Sequence, residues 1–524
     1  MAPDSIFDSL TPADLGLPEK FSSYRLPQRE CLDWLLNDCG ASGASVSAAC
    51  LPTGAGKTAI GLSLAKLLGV KAVYLVATKA LQEQVLRDGF PMGMVDIRGR
   101  ANYKCPNYGN CDRGYEEKCS VSNTTGCDYT NAVEDARDAD LIITNYSYWL
   151  HARKHNAKAL ERDGRPVGLL ICDEAHALES QLGNFASVKL YASELGKSGA
   201  GFSRDGAMSE DDPEGWKKWA KEKYDKLFDS EDDDDKDLCA RCYRITRMSG
   251  NFVWQFDDHG AVTFEPVRLS AYTKALFSGV PRVLLMSASL NEFVLRLTLP
   301  SDVPYDYRSW GAVFPPSNAP VYHIPTRKLS WRSTDEDYQA VIEAMDAIID
   351  RRLDRKGIVH TVSYARGQRA LQHSRHAGRF IWNSKGSELA TCLERFRAAD
   401  YGVILVTPSV EEGFDFPEDQ CEYQIVLKFP FPNETQRVIK ERCAQIPGYR
   451  LHYAAQKVVQ MRGRPVRSAT DRAETFLLDN ACKQLCGPEG RSYCPPGFRI
   501  FTVAAVPPAP PRVNATNQPT TKPT

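Results

Sequence analysis

The segment Leu51-Pro-Thr-Gly-Ala-Gly-Lys-Thr58 sets two glycines, a lysine and a threonine at fixed spacing. Gly54 and Gly56 let the backbone N–H groups of Thr53 to Thr58, Ala55 included, close around phosphate oxygens. Lys57 then reaches the β- and γ-phosphates, and the Thr58 hydroxyl binds Mg²⁺. The run Ala59 to Leu68 is apolar at helical spacing, which places a helix N-terminus at the phosphate. Leu51 stands where the general pattern has its first glycine. A second group is Asp173-Glu174-Ala175-His176, directly after the strand-like Leu169-Leu-Ile-Cys172. A carboxylate at a strand end can hold Mg²⁺, as Asp173 would, and Glu174 can orient or deprotonate an attacking water. ATP and Mg²⁺ are therefore the expected ligands.

Cys105, Cys111, Cys119 and Cys127 are a third group, separated by five, seven and seven residues within Arg98 to Ala132. That stretch is polar and rich in Gly and Asn, so it offers little apolar content for buried thiols to pack with. Metal ligation is the expectation. Zinc usually shows Cys-x-x-Cys knuckles, absent here, and the wider spacing favours an iron–sulfur cluster, with zinc still open on spacing alone. The remaining cysteines, including Cys239, Cys242, Cys482, Cys486 and Cys494, are read as structural.

Positioning these groups requires strands. Apolar runs recur at 72–76, 141–143, 168–172, 282–286, 357–360, 402–406 and 424–427, many leading into helix-like stretches. Continuous apolar strands alternating with helices predict α/β domains with parallel sheets covered on both faces. At 524 residues, roughly three domains of about 150 residues are expected. Net charge is −1, so this is not a histone-like basic protein, yet the charge is uneven. Residues 205–237 hold fourteen acids and six lysines; residues 434–472 hold nine Lys+Arg and three acids. The basic segment is the better candidate for phosphate contact. No apolar run approaches the ~18 residues of a membrane helix, and the N-terminus lacks a signal-peptide pattern. A cytoplasmic protein is expected, or a nuclear one in a eukaryote.

The phosphate loop followed by Asp173-Glu174-Ala175-His176 resembles the superfamily 2 helicases, of which an Asp-Glu-Ala-His box is a hallmark. Tyr24-Arg-Leu-Pro-Gln28-Arg29 resembles that family's adenine-reading segment, with Gln28 as reader. Ser287-Ala-Ser289 resembles its segment coupling hydrolysis to motion. Gln460-Met-Arg-Gly463-Arg464-Pro-Val-Arg467 is similar to its Gln-x-x-Gly-Arg-x-x-Arg, which implies a catalytic Gln460 and arginine fingers at Arg464 and Arg467. Four cysteines at this position resemble the iron–sulfur group of XPD and DinG helicases, implying a [4Fe–4S] cluster. Glu412-Gly-Phe-Asp415-Phe416 is similar to that group's Glu-Gly-x-Asp-Phe, placing Asp415 at the nucleotide. Thr144-Asn-Tyr146 and Leu427-Lys-Phe-Pro-Phe-Pro432 resemble two further segments, the second imperfectly.

The resemblance implies two RecA-like motor domains. The first would comprise 1–97, 133–176 and 279–318, interrupted by a cluster domain at 98–132 and a helical arch-like insertion at 177–278. The second would span 319–503; the Pro-rich composition of 504–524 reads as a disordered tail. Tyr103, Tyr108, Tyr115 and Tyr129, interleaved with Arg98, Arg100, Lys104, Arg113 and Lys118, could stack bases or form a near-neutral scaffold. The implied function is an ATP-dependent helicase moving 5′→3′ on single-stranded and forked duplex DNA, acting as a monomer. A translocase that moves without separating strands is the alternative, and a non-catalytic ATP-holding component is a third reading. No motif decides among repair, replication and transcription roles.

Overall fold

The structure, a computed structural model, describes residues 7, 9–38, 44–105, 107–117, 119, 126–162, 164–196, 212–248, 251–408, 416 and 418–511. They group into two units. The first takes in Met1–Cys50, Gly56–Arg308 and Pro432–Arg450; the second takes in Leu51–Ala55, Ser309–Phe431 and Leu451–Thr524.

The strands of the first unit are β1 (Val46–Cys50), β2 (Ala72–Val76), β3 (Met94–Asp96), β4 (Lys104–Cys105), β5 (Gly109–Asn110), β6 (Leu141–Asn145), β7 (Leu169–Asp173), β8 (Val188–Leu190), β9 (Phe252–Phe256), β10 (Val262–Pro266), β11 (Arg282–Ser287) and β12 (Tyr305–Ser309). Seven form one sheet in the order β12-β1-β11-β7-β2-β6-β3. Every pairing from β1 through β3 in that order is parallel. All five residues of β2 and of β7 are buried, which is why both read as unbroken apolar runs. Parallel strands bring the residues after β1, β2, β6, β7 and β11 to a single edge, where this class of sheet binds ligands.

Between 177 and 278 the expected helical arch-like insertion contains a sheet as well as helices. Helices Pro213–Leu227 and Asp233–Thr246 are present, but β8, β10 and β9 form a three-stranded antiparallel sheet beside them. Trp216, Trp254, Phe264 and Cys242 share their core. The acidic run has a structural use. The Asp232 carboxylate accepts from the Asp234 and Asp235 amides at 3.0 and 3.1 Å, and the following acids sit in the first helical turn, where the dipole favours them.

Residues 432–450, expected in the second motor domain, group with the first unit instead. Helix Arg437–Gln445 carries Val438 against Val253 and Val267. Arg442, 5% exposed, donates to the carbonyls of Pro266 and Val267 and pairs with Glu179 at 2.7 Å, while the Tyr449 hydroxyl donates to the same carboxylate. Arg442 therefore secures the fold, and the basic segment offers fewer cations to phosphate than its count implies.

The second unit contains β13 (Val321–His323), β14 (Gly357–His360), β15 (Phe380–Trp382), β16 (Ile404–Thr407), β17 (Tyr423–Val426), β18 (Glu474–Leu477) and β19 (Ile500–Thr502). They form one fully parallel sheet in the order β15-β16-β14-β17-β18-β13-β19. A bidentate pair, Arg352 to Glu474 at 2.8 Å through both oxygens, is buried in it. The tail expected to be disordered from 504 is held as far as residue 510 in part by arginines: Arg351, Arg352 and Arg355 donate to the carbonyls of Val506, Pro507 and Pro510. Proline lacks an N–H, so its carbonyl is the backbone group it can offer. Residues 512–524 lie outside the described residues. Among the described residues no helix is long and apolar enough to cross a membrane.

Three histidines are buried in this unit: His323, His360 and His452. Burial pushes His360 down to about 4 and His452 to about 3. Both rings stay neutral when folded and gain a proton on unfolding at pH below 6.5. Their contribution is neutral above that value and increasingly destabilising as pH falls towards 4, by about 1.4 kcal/mol per pH unit for each ring. Urea unfolding should show a clear loss of stability from about pH 7.5 to about pH 5.5, and a His360→Gln, His452→Leu double variant should flatten that dependence.

Candidate nucleotide site and four-cysteine insert

The phosphate loop leaves β1, and helix Lys57–Leu68 follows it with residues 59–65 buried against the sheet. Gly56, the residue before the helix, has φ +79°, a conformation that disfavours a side chain. An added Cβ there would lie 2.2 Å from Gln28 Nε2, so Gln28 packs against the loop itself. Gln28 is buried in helix Leu26–Asp33, and its Oε1 accepts the Arg25 amide at 2.8 Å as part of a capping box. Helix capping thus occupies the carbonyl end of the side chain expected to read adenine. Tyr24 is tied to the helix after the phosphate loop, Lys57–Leu68, by a 2.7 Å hydrogen bond to Ser63.

Asp173 ends β7 and is 5% exposed. Its Oδ2 accepts from the Tyr74 hydroxyl at 3.0 Å, and its Oδ1 accepts the Glu174 amide at 2.8 Å. The Tyr146 hydroxyl donates to the Asp173 carbonyl at 2.8 Å. The Thr58 hydroxyl also hydrogen-bonds Tyr74, so the two expected Mg²⁺ ligands meet at one phenol. Burial raises the Asp173 carboxyl above the usual carboxylate range, while the Lys57 ammonium opposes that rise. A buried acid, a hydroxyl and a nearby cation suit a site whose charge balance is completed by Mg²⁺ and phosphate. Tyr74 and Tyr146 were not singled out from the sequence. A phenol in the aliphatic strand Ala72–Val76 was the available signal.

Glu174 has left-handed backbone, φ 49° and ψ 45°, unusual for a non-glycine residue. That turn points its carboxylate back over the sheet edge. Oε1 lies 3.4 Å from Lys57 Nζ, and Oε2 lies 3.2 Å from His176 Nδ1. His176 Nδ1 and Ser287 Oγ are 2.8 Å apart, and Ser287 Oγ is 3.5 Å from Glu174 Oε2. Lys57, Glu174, His176 and Ser287 therefore form a connected polar group running from the phosphate loop to the end of β11. Ser287 also accepts the Ser289 amide at 3.2 Å. A change in what Glu174 binds would be felt directly at the Ser287-Ala288-Ser289 segment.

The other expected site residues fall in the second unit. Among them, an added Cβ on Gly54 would lie 3.3 Å from the Arg467 carbonyl, and one on Gly463 would lie 2.4 Å from Thr53 Oγ1. Ala55 is buried. Gln460 is buried in helix Tyr449–Gly463. The Arg464 carbonyl accepts the Phe416 amide at 3.3 Å, and the Arg467 amide donates to Asp471 at 2.7 Å. Asp415 lies outside the described residues.

In the insert, Cys105 is on the β4–β5 hairpin, Cys111 opens helix Cys111–Glu116, and Cys127 precedes helix Asp128–Asp138. All four thiols are half-exposed and free of disulfides. An added Cβ on Gly114 would be 3.4 Å from Cys105 Sγ and 3.6 Å from Cys119 Cβ, and Cys111 and Cys127 hydrogen-bond each other. Cys105 and Cys119 thus flank Gly114, and Cys111 and Cys127 form a second pair. Among the described residues, no three His, Cys, Asp or Glu side chains form a group that could hold a metal ion. Of the interleaved aromatics, Tyr103 and Tyr129 pack edge to face at 5.5 Å, with Arg100 over the Tyr129 ring and Tyr103 accepting the Arg98 amide. These two tyrosines pack against the core of the first unit.

The family model described as the Type III restriction enzyme res subunit matches residues 22–196, which hold the phosphate loop and the Asp173-Glu174 turn. That of the helicase C-terminal domain matches 351–486, which hold Gln460 to Arg467. No curated protein matches the chain. Among solved structures, Xpd4 of S. tokodaii aligns with TM-score 0.60 and 17% identity over 92% of this chain and 100% of its own. An XPD helicase aligns with TM-score 0.59 and 14% identity over 91% and 99%. These likenesses show a shared fold of two RecA-like, parallel-sheet domains. With a model matched in each motor domain and Lys57, Asp173 and Glu174 brought together, the chain carries the two domains of a superfamily 2 helicase and is an ATP-hydrolysing enzyme.

Proposed function

We propose that this enzyme is an iron–sulfur DNA helicase of the XPD and DinG group. It would translocate 5′→3′ on single-stranded DNA and open forked duplexes by coupling ATP hydrolysis to closure of its motor domains. The observation that carries the reading is the polar chain from Lys57 through Glu174 and His176 to Ser287, which joins the group contacting the γ-phosphate to a segment able to relay its loss. In the proposed cycle Thr58 and Asp173 hold Mg²⁺, Glu174 orients the attacking water, and Arg464 and Arg467 stabilise the charge dispersed in the phosphoryl transition state. Turnover should rise strongly with single-stranded DNA. Lys57→Ala and Glu174→Gln should each lower it by about 100-fold or more. Full-rate hydrolysis without nucleic acid would refute the reading. Duplexes with a 5′ tail should be opened and those with a 3′ tail should not. DNA-stimulated hydrolysis with neither opened would favour the translocase.

The [4Fe–4S] assignment rests on four thiols brought into one short insert as two pairs and on the resemblance of their placement. A single zinc ion holds its sulfurs at about 2.3 Å each, so the four would close on a point. A multi-iron cluster accepts a wider set of thiolates, from Cys105, Cys111, Cys119 and Cys127, and when bound it would supply a rigid cross-link for an insert with few apolar contacts of its own. Anaerobically purified protein should be brown with about four irons per chain, and Cys111→Ser should lose colour and iron together. Stoichiometric zinc without visible absorption would overturn the assignment.

A further inference from the structure

The loop after β13 presents an exposed aromatic among cations. Trp331 is 85% exposed, whereas Trp34, Trp149, Trp216, Trp219, Trp254 and Trp310 are all buried and Trp382 is half-buried. The Arg332 guanidinium lies 4.5 Å from the Trp331 ring, and Arg327 and Lys328 are exposed on the same loop. The loop itself is firmly seated. Leu329 is buried in the sheet core, and its amide donates to Asp479 at 3.3 Å. The Asn480 amide donates to the Arg327 carbonyl at 3.1 Å, and the Ser330 amide to Ser333 Oγ at 2.9 Å. Asp479 also accepts Lys428 Nζ at 2.6 Å and the Phe429 amide at 3.0 Å, so one buried carboxylate fixes this loop and the one after β17.

Both loops leave the C-terminal edge of a parallel sheet, the edge where such sheets bind ligands. The loop after β14 emerges at that edge with Val362 at φ 64°, a strained conformation for a β-branched residue. Three acids follow the loop, and two of them are engaged. Asp337 accepts the Thr334 amide in a capping box and lies 3.8 Å from Arg327, and Asp335 pairs with Arg369; Glu336 is in the same first helical turn.

We propose that Trp331 is a stacking platform for a base of single-stranded nucleic acid, with Arg332 stiffening the ring and Arg327 and Lys328 meeting the flanking phosphates. A rigid, exposed indole beside cations binds any unpaired base by its face and reads no sequence. Within a duplex the base faces are covered by their stacked neighbours, so the preference is for unpaired strand. The inference rests on the reading that this enzyme moves along single strands, and it names a contact point for them.

The full chain tests it through its own fluorescence. Oligo-dT should quench the red-shifted tryptophan emission of the wild-type protein, and Trp331→Phe should lose that quenching while keeping most of its affinity. Trp331→Ala should weaken oligo-dT binding about tenfold, measured by anisotropy of a labelled strand. DNA-independent ATP hydrolysis should be unchanged. An Arg327→Gln, Lys328→Gln pair should lower the slope of log affinity against log salt by about 1.4. Unchanged binding and no loss of quenching in Trp331→Ala, with DNA-stimulated hydrolysis intact, would overturn the platform and leave the helicase reading standing. No binding of oligo-dT by the wild-type protein would overturn both.

Discussion

A carboxylate at the end of a buried strand costs several kcal/mol unless its oxygens are satisfied, and the first unit is organised around meeting that cost at Asp173. Tyr74 reaches one oxygen from the neighbouring strand, and the Glu174 amide takes the other. The second of these bonds requires the chain to turn immediately, and the turn places Glu174 in left-handed backbone. From there Glu174 can face Lys57 on one side and His176 on the other. Were the turn relaxed into ordinary helix, the carboxylate would swing away from both. The strain of that residue, the phenol in β2 and the serine ending β11 are therefore parts of one constraint.

Parallel topology makes such convergence inexpensive. Groups that lie more than a hundred residues apart, such as Lys57, Glu174 and Ser287, each need only follow a strand of the same sheet to arrive at one edge. The second unit repeats the device with different contents. There the buried carboxylate is Asp479, and what it ties together is a pair of edge loops. In both units an acid that cannot be solvated acts as an anchor, and the exposed chemistry is built on the backbone it fixes.

Strands and the phosphate loop were legible in the sequence because their causes are local. Residues 72–76 and 357–360 are strands over the ranges their apolar runs predict. Asp173 and Glu174 were legible because a strand end and two acids are adjacent in the chain. Other features depend on partners remote in sequence. Tyr74 gains its meaning from Asp173, ninety-nine residues later, and Arg442 from Glu179, separated by 263. The segment 432–450 has helical spacing whichever unit it joins, so its grouping with the first unit follows from Val438, Arg442 and Tyr449 finding complementary surfaces. The proline-rich tail reads as disorder by composition, yet its carbonyls satisfy three arginines to residue 510. Composition counts what a segment lacks; it does not count acceptors that another element needs.

The same distinction governs charge. A near-zero total, and even the local excess at 434–472, say little about which cations can meet a phosphate. Arg442 and Arg352 are buried with carboxylates, and Arg462 donates to the Ala319 carbonyl. Desolvation commits these guanidinium groups to fixed partners, since leaving either side unpaired would strand a buried charge. Arg327, Lys328 and Arg332 stand in an unremarkable stretch of sequence, yet they are exposed on a rigid loop beside an exposed indole. A polyanion responds to charges that remain hydrated and mobile enough to exchange water for phosphate. For this chain the relevant quantity is thus the set of cations left over after the core has taken its share, and that set is defined by the fold.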